Sequence, residues 1–341
     1  MTLPPDDERE TESAAADSPG DAIESGNLDV AEHVHDASAA PEAATRGALV
    51  VDAAAEPARP LFANVFLPDT RPPERIPNLG HVGLLTVYIG FGIIVSLIIL
   101  GVAVRFHLFH ISTVQAAVTD VHYALGSEVI LYLIAFGAAY FTFPLIWHEG
   151  FFTGLEWRGA TALRLRWRLI GVGLLCYLMA MLNIIFIPGP ANAPIENIFK
   201  QPGAAWLLFF FGITFAPFFE ELFFRGFLLP ALCTACDWVA EKAFHLPRRP
   251  LRPDGHPQWS LTAMAIASVI TSVPFALMHA EQTGNSVDAV LLLGFVSLAL
   301  CAVRLITRSL ASSVLVHAFY NFLLFSMMVV LTEGFRHLDK M

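Results

Sequence analysis

Residues 204–233 read AAWLLFFFGITFAPFFEELFFRGFLLPALC, an apolar stretch long enough to cross a bilayer. It carries three charged residues, Glu220, Glu221 and Arg225. An ionised side chain at bilayer depth costs about 2.5–3.5 kcal/mol or more, so such charges usually serve a function. Two later apolar stretches also hold costly polar residues. The sequence therefore predicts water-activating chemistry inside a membrane bundle.

The composition around this stretch is that of a polytopic membrane protein. Of 341 residues, 55% are hydrophobic and 15% charged, and the mean hydropathy is +0.60. Helices of a soluble domain are apolar along one stripe, whereas these runs are apolar on all sides. Seven runs predict an all-α bundle of about seven to eight transmembrane spans, at residues 81–104, 121–147, 169–187, 204–232, 261–279, 286–305 and 310–331.

The net charge of -10 belongs to the start of the chain. Residues 1–60 hold 14 Asp and Glu but 3 Arg, whereas the remainder holds 16 acids and 17 bases. The segment is rich in Ala and Pro and nearly free of aromatic residues, so it cannot bury enough apolar surface to fold. We expect a disordered acidic tail at residues 1–60 and a transmembrane domain at residues 61–341.

Basic residues in alternate links predict the orientation in the membrane. The links after the second, fourth and sixth spans are basic, whereas the other links hold few bases or none. Since Lys and Arg concentrate in cytoplasmic loops, these three links and the N-terminus are expected in the cytoplasm. We expect an integral protein of a bacterial inner (plasma) membrane. The basic residues are Arg158, Arg164, Arg166, Arg168, Lys242, Arg248, Arg249, Arg252, Arg304 and Arg308.

The charged cluster divides into two parts. Glu221 and Arg225 are four residues apart, so on a helix they share a face and can form an ion pair. Glu220 projects about 100° away from Glu221 and is left to bind and deprotonate a water. A structural ion-pair network that joins helices is the alternative interpretation.

Two histidines and an amide complete the candidate set. His317 and Asn321 share a helix face, and His279 follows Phe275 by four residues. A neutral histidine can bind a metal, donate a hydrogen bond or move a proton, and an asparagine can donate to an oxyanion without carrying charge. Together with Glu220 they suffice for hydrolysis. Interhelical hydrogen bonding is the alternative for any one of them.

Taken in order, the patterns E-E-x-x-x-R, F-x-x-x-H and H-x-x-x-N resemble those of the type II CAAX prenyl protease family, also called the CPBP family. They occupy residues 220–225, 275–279 and 317–321, each on its own apolar run. Gly226 continues the Phe-Arg-Gly that is usual in the family. The resemblance covers about residues 204–325.

This resemblance implies an intramembrane endopeptidase that cleaves a peptide in or at the bilayer and binds no nucleic acid. By carry-over, Glu220 would activate the attacking water, and His279 would position that water or bind a metal. His317 and Asn321 would stabilise the oxyanion. Glu221 and Arg225 would shape the site and hold the peptide.

Several alternatives stay open at this point. Glu220, His279 and His317 form a plausible zinc triad, so a metallo-type and a glutamate-type peptidase both fit. A proton-coupled transporter would use the same residues as a relay, although the internal repeat common in carriers is not visible. A non-catalytic scaffold or immunity protein of the same fold is the third possibility. The residues do not identify the substrate.

One expectation conflicts with a shared site. Counted from the charged links, Glu220 falls in the cytoplasmic half of its span, whereas His279 falls near the opposite end of its own. For the two to meet, the fifth span must start later or be displaced in the bundle.

Overall fold

The computed structural model describes residues 74–106, 113–186 and 203–337. This part of the chain is helical and has no β-strand beyond one isolated bridge, between Leu251 and Pro257. A π-helix covers Leu222–Leu228. In chain order the α-helices are α1 Leu79–Arg105, α2 Val114–Thr119, α3 Val121–Trp147, α4 Phe151–Gly154, α5 Gly159–Arg164, α6 Arg166–Phe186, α7 Ala204–Ile213, α8 Phe215–Glu221, α9 Leu229–Ala243, α10 Leu261–Met278, α11 Val287–Thr307 and α12 Leu310–Leu331.

Seven helical segments within the described ranges are long and apolar enough to cross a membrane. They are α1, α3, α6, the continuous run Ala204–Ala243, α10, α11 and α12, which confirms the predicted all-α transmembrane bundle. Large apolar side chains such as Phe141, Leu145 and Ile185 are exposed on these helices, as lipid-facing positions require. The acidic tail predicted at residues 1–60 lies outside the described residues.

Small residues bring the helices close together, as is usual where apolar packing against lipid offers no gain. A Cβ at Gly92 of α1 would lie 3.0 Å from the carbonyl oxygen of Leu131 on α3. At Gly173 of α6 it would lie 2.9 Å from the ring of Phe319 on α12. These contacts hold α1 against α3 and α6 against α12.

The fourth run is a broken helix. It breaks at Thr214, whose φ of -123° and ψ of -71° separate α7 from α8, and α8 then passes into the π-helix. It extends to Ala243, well beyond the predicted end at residue 232, because Asp237 of α9 is buried and serves the fold. Its carboxylate accepts hydrogen bonds from the backbone and hydroxyl of Ser260, at 2.9 and 2.6 Å.

This longer helix removes the expected conflict of depth. Ser260 caps the start of α10, so Asp237 and the start of α10 lie at one level. Glu220 is 17 residues before Asp237, and His279 is 19 residues after Ser260. At 1.5 Å per residue, both lie roughly 25–29 Å from that level. The fifth span is therefore not displaced; the fourth is longer than predicted.

Candidate active site

The carboxylate of Glu220 lies where three membrane helices converge. Glu220 stands at the end of α8, and its Oε2 lies 3.7 Å from Nε2 of His279 and 3.8 Å from Nε2 of His317. Oε2 is buried and has no hydrogen-bond partner in the described part of the chain. Both gaps exceed a direct hydrogen bond, so a water can lie within reach of all three groups. The predicted convergence of these residues is therefore present in the geometry.

A backbone carbonyl orients His279. This residue caps the C-terminus of α10, and its Nδ1 lies 2.8 Å from the carbonyl oxygen of Phe275. A carbonyl can only accept, so Nδ1 donates and Nε2 presents a lone pair. That lone pair is on the side of Glu220. In the F-x-x-x-H pattern, the carbonyl one helical turn before the histidine therefore fixes its tautomer.

His317 touches both glutamates through opposite sides of its ring. Nδ1 lies 3.0 Å from Oε1 of Glu221, and Nε2 faces Glu220. The carboxylate of Glu221 accepts a hydrogen bond from the Nδ1–H group of His317, so Nε2 carries the lone pair in the neutral ring, as it does in His279. The single imidazole explains how two adjacent carboxylates on one helix take different roles.

Arg225 neutralises Glu221 in the bundle interior. Its Nη1 donates to Oε1 of Glu221 at 2.8 Å, and both side chains are completely buried. Nη2 donates to the hydroxyl of Ser297 on α11 at 2.7 Å and to its carbonyl at 3.1 Å. The guanidinium carbon also lies 4.4 Å from the ring centroid of Phe275. The ion pair predicted from spacing is present and joins three helices.

Asn321 lies one turn beyond His317 on α12 and bonds to the broken helix. Its Nδ2 donates to the carbonyl of Gly212 at 2.8 Å. Gly212 is close to the break at Thr214. A Cβ added at Gly212 would lie 2.5 Å from the ring of Phe325. One amide proton of Asn321 is therefore committed to the helix break, and the second is left for another acceptor.

The predicted zinc ligands Glu220, His279 and His317 have suitable donor atoms but are not arranged as a metal site. The donor types suit zinc, because Nε2 of both histidines faces Glu220 and each Nδ1 donates to an oxygen. Across the described ranges, however, no group of three or more His, Cys, Asp or Glu residues is arranged to hold a metal ion. The zinc role of Glu220, His279 and His317 stays a prediction.

A third carboxylate lies near the site and is not among the residues predicted from the sequence. Glu128 on α3 accepts a hydrogen bond from the hydroxyl of Tyr132 at 2.6 Å, and both are near enough to interact electrostatically with Glu220. The ring of Tyr132 stacks on Phe219 with centroids 4.5 Å apart. The signal that was available is a Glu and a Tyr four residues apart in an apolar run.

Comparison with known families gives one finding. Residues 202–323 match a family model described as Rce1-like, type II CAAX prenyl endopeptidase. The match spans roughly a third of the chain, includes all three patterns and confirms the resemblance. Neither the curated proteins nor the solved structures gave a significant match.

Proposed function

Because residues 202–323 form an Rce1-like domain, we propose that this protein is an intramembrane endopeptidase whose attacking water is activated by Glu220. Its substrate is a peptide in or at the bilayer. The observation that carries the proposal is the buried Oε2 of Glu220, which has no hydrogen bond among the described residues and is faced by two histidine nitrogens. Glu221 differs, because its Oε1 is paired with Arg225 and His317.

The geometry supports a general-base mechanism. A water between Glu220 and Nε2 of His279 gives its proton to the carboxylate while its oxygen attacks the scissile carbonyl carbon. The C–N bond then breaks, and Glu220 returns the proton to the leaving amine. His279 accepts a hydrogen bond from the water through Nε2 and so orients it, because its Nδ1 is held by the Phe275 carbonyl.

Two donors on α12 stabilise the oxyanion in this proposal. Asn321 offers the Nδ2 proton that Gly212 does not use. His317 contributes as the imidazolium, whose Nδ1–H stays on the Glu221 carboxylate and whose Nε2–H points to the oxyanion. One oxyanion donor is worth about 2.7–4 kcal/mol of transition-state stabilisation, or roughly 10²–10³ in rate. Glu221 and Arg225 hold His317 in place for this role.

The direct test is hydrolysis by detergent-purified protein in ¹⁸O-labelled water. Two quenched fluorescent probes are used, a farnesylated peptide ending in CAAX and an unprenylated transmembrane peptide. We expect cleavage of at least one probe, with ¹⁸O in the new carboxyl terminus as mass spectrometry detects it. Glu220→Gln keeps the shape of the side chain but removes the base, so the rate should fall by at least about 10²-fold.

The control for this variant is Glu281→Gln, which changes a glutamate beyond the end of α10 that none of the patterns includes. It should cleave at the wild-type rate. Full activity of folded Glu220→Gln would reject the mechanism and favour the transporter or scaffold alternatives. Cleavage of the farnesylated probe alone would assign a prenylated substrate, and cleavage of the transmembrane probe alone would exclude a requirement for the prenyl group.

A further inference from the structure

A second buried arginine reaches the helix that carries the site. Arg304 lies in the last turn of α11 and is 2% exposed. Its Nε donates to the backbone carbonyl of Arg225 at 3.2 Å. Its Nη2 donates to the carbonyl of Leu155 at 3.3 Å and to Oε2 of Glu156 at 3.1 Å. None of the three sequence patterns includes Arg304, and its contacts join two regions far apart in sequence.

Pro230 explains why the carbonyl of Arg225 is available. In the π-helix Leu222–Leu228 each N–H donates to the carbonyl five residues earlier, and the N–H of Leu229 accordingly donates to Phe224. The next donor in this pattern, for the carbonyl of Arg225, would be residue 230. Residue 230 is a proline, which has no N–H. Arg304 supplies the hydrogen bond that the helix itself cannot make.

Glu156 in turn holds Arg304. Its side chain is 3% exposed and pairs with Arg304, Arg252 and Arg158. Its backbone carbonyl accepts from the N–H of Leu310, the first residue of α12, at 3.1 Å. Glu156 therefore joins the end of α11 and the start of α12 to the link between the second and third spans.

The π-helix sets the direction in which the catalytic carboxylates point. Successive residues of a helix differ by about 100° in direction, and a π-turn holds one more residue than an α-turn. If the turn relaxed to α-helix, Glu220 and Glu221 would rotate by roughly that angle relative to α9. Asp237 fixes α9 against α10 through Ser260, so α9 cannot rotate with them.

From this geometry we propose that Arg304, held by Glu156, is a positioning residue that keeps the π-turn closed by donating to the carbonyl that Pro230 leaves free. This proposal rests on the proposed function, because it assigns Arg304 to the alignment of Glu220. Arg304, which positions the catalytic helix in this proposal, lies outside the three sequence patterns, at the end of α11.

The test compares two lysine substitutions around the same carboxylate. In Arg304→Lys the ammonium still pairs with Glu156, but one nitrogen cannot also reach the Arg225 carbonyl. We expect kcat on the cleaved probe to fall by about tenfold or more, with KM within about twofold of wild type, because misplacement slows the chemical step. Arg252→Lys changes the pairing of Glu156 without touching Arg225. It should lower the melting temperature while kcat stays at the wild-type value.

Pro230→Ala separates positioning from general stability. The alanine restores an N–H at the donor position for the Arg225 carbonyl, so the double variant with Arg304→Lys should recover most of the lost kcat. The same change should not raise the melting temperature of Arg252→Lys. If Arg304→Lys does not fold, the double variant should fold, and failure of both would overturn the proposal.

A readout without activity keeps this test independent of the proposed function. Hydrogen–deuterium exchange of the amides in residues 222–229 should be faster in Arg304→Lys than in wild type or Arg252→Lys, and Pro230→Ala should reverse the change. Unchanged exchange, or equal losses of kcat in both lysine variants, would overturn the positioning role. If wild type cleaves neither probe while the exchange result holds, the peptidase proposal fails and the structural role of Arg304 stands.

Discussion

Glu221→Gln is expected to destabilise the protein far more than Glu220→Gln, although the two residues are neighbours. Glu221 Oε1 accepts from Nη1 of Arg225 at 2.8 Å and from Nδ1 of His317 at 3.0 Å. Both members of the ion pair are fully buried. The glutamine leaves the guanidinium without its counter-charge, among neutral Ser297 and the rings of Phe275 and Phe224.

The expected magnitude follows from this burial. Removing one partner of a buried ion pair costs about 3–5 kcal/mol, because the other charge stays desolvated. At roughly 2–4 °C per kcal/mol for a domain of 150–250 residues, the melting temperature should fall by about 6–20 °C. The carboxylate Oε2 of Glu220 makes no hydrogen bond in the described part of the chain, so Glu220→Gln should melt close to wild type.

The assay is thermal unfolding in detergent, followed by a thiol-reactive dye. Cys233 and Cys301 are free and completely buried, so their reaction reports opening of the bundle. Glu220→Gln serves as the matched control, since it is the same substitution one residue away. If both variants melt within about 2 °C of wild type, the ion pair does not contribute as reasoned and Arg225 must be neutralised in another way.

Asn321→Ala should reduce kcat by roughly 10²-fold, because the oxyanion loses a donor. The substitution also leaves the Gly212 carbonyl without the Asn321 hydrogen bond. A kcat equal to that of wild type would remove Asn321 from the mechanism. A strong chelator separates the two types of peptidase: unchanged hydrolysis would support Glu220 acting without a metal, whereas a loss of rate that zinc restores would assign the metal role to Glu220, His279 and His317. Burial raises the pKa of Glu156, but Arg304 and Arg252 outweigh burial and hold its pKa below the usual 4.5. The stabilisation that ionised Glu156 provides is therefore present above pH 4.5 and is lost as the pH falls below that value. The difference in melting temperature between wild type and Glu156→Gln should shrink below pH 4.5. A difference that stays constant would contradict the assignment. A truncation that starts at Leu61 should insert and keep full activity, and lost turnover with normal insertion would show a role for residues 1–60.

The spans and the pairing of Glu221 with Arg225 were predictable because both signals are local. Seven apolar runs identify the spans, and pairs four residues apart share a helix face whatever the tertiary structure. Glu221 and Arg225 are such a pair, and the structure places them 2.8 Å apart. The convergence of Glu220 with His279 and His317 could be expected from the family resemblance, since spacing within one helix says nothing about another.

The length of the fourth helix was not predictable from its apolar run. Residues 233–243 include Asp237, Glu241 and Lys242, which end the hydrophobic signal although the helix continues. Asp237 is tolerated because it binds Ser260, and Glu241 because it pairs with Arg75 at 2.7 Å. These partners are 23 and 166 residues away, so no local pattern indicates them.

The support around the site was hidden for a related reason. Arg304 was counted as a topology signal in a basic link, yet it is buried and bonds to residues 79 and 148 positions away. The π-helix depends on a backbone pattern that side-chain periodicity does not report, apart from Pro230 itself. Long-range hydrogen bonds of this kind follow from the packing and cannot be derived from spacing.

The contact between Phe275 and Arg225 changes the meaning of the F-x-x-x-H pattern. The tautomer of the histidine in this pattern depends on the backbone carbonyl of residue 275, which every amino acid offers. The aromatic ring instead faces the guanidinium of Arg225 at 4.4 Å and gives that cation an electron-rich surface in the interior. Phe275, the first residue of F-x-x-x-H, thus stabilises Arg225, the last residue of E-E-x-x-x-R. A leucine at position 275 would leave the tautomer of His279 intact and deprive the arginine of the nearer of its two aromatic neighbours within the described ranges, with Phe224 at 5.8 Å left.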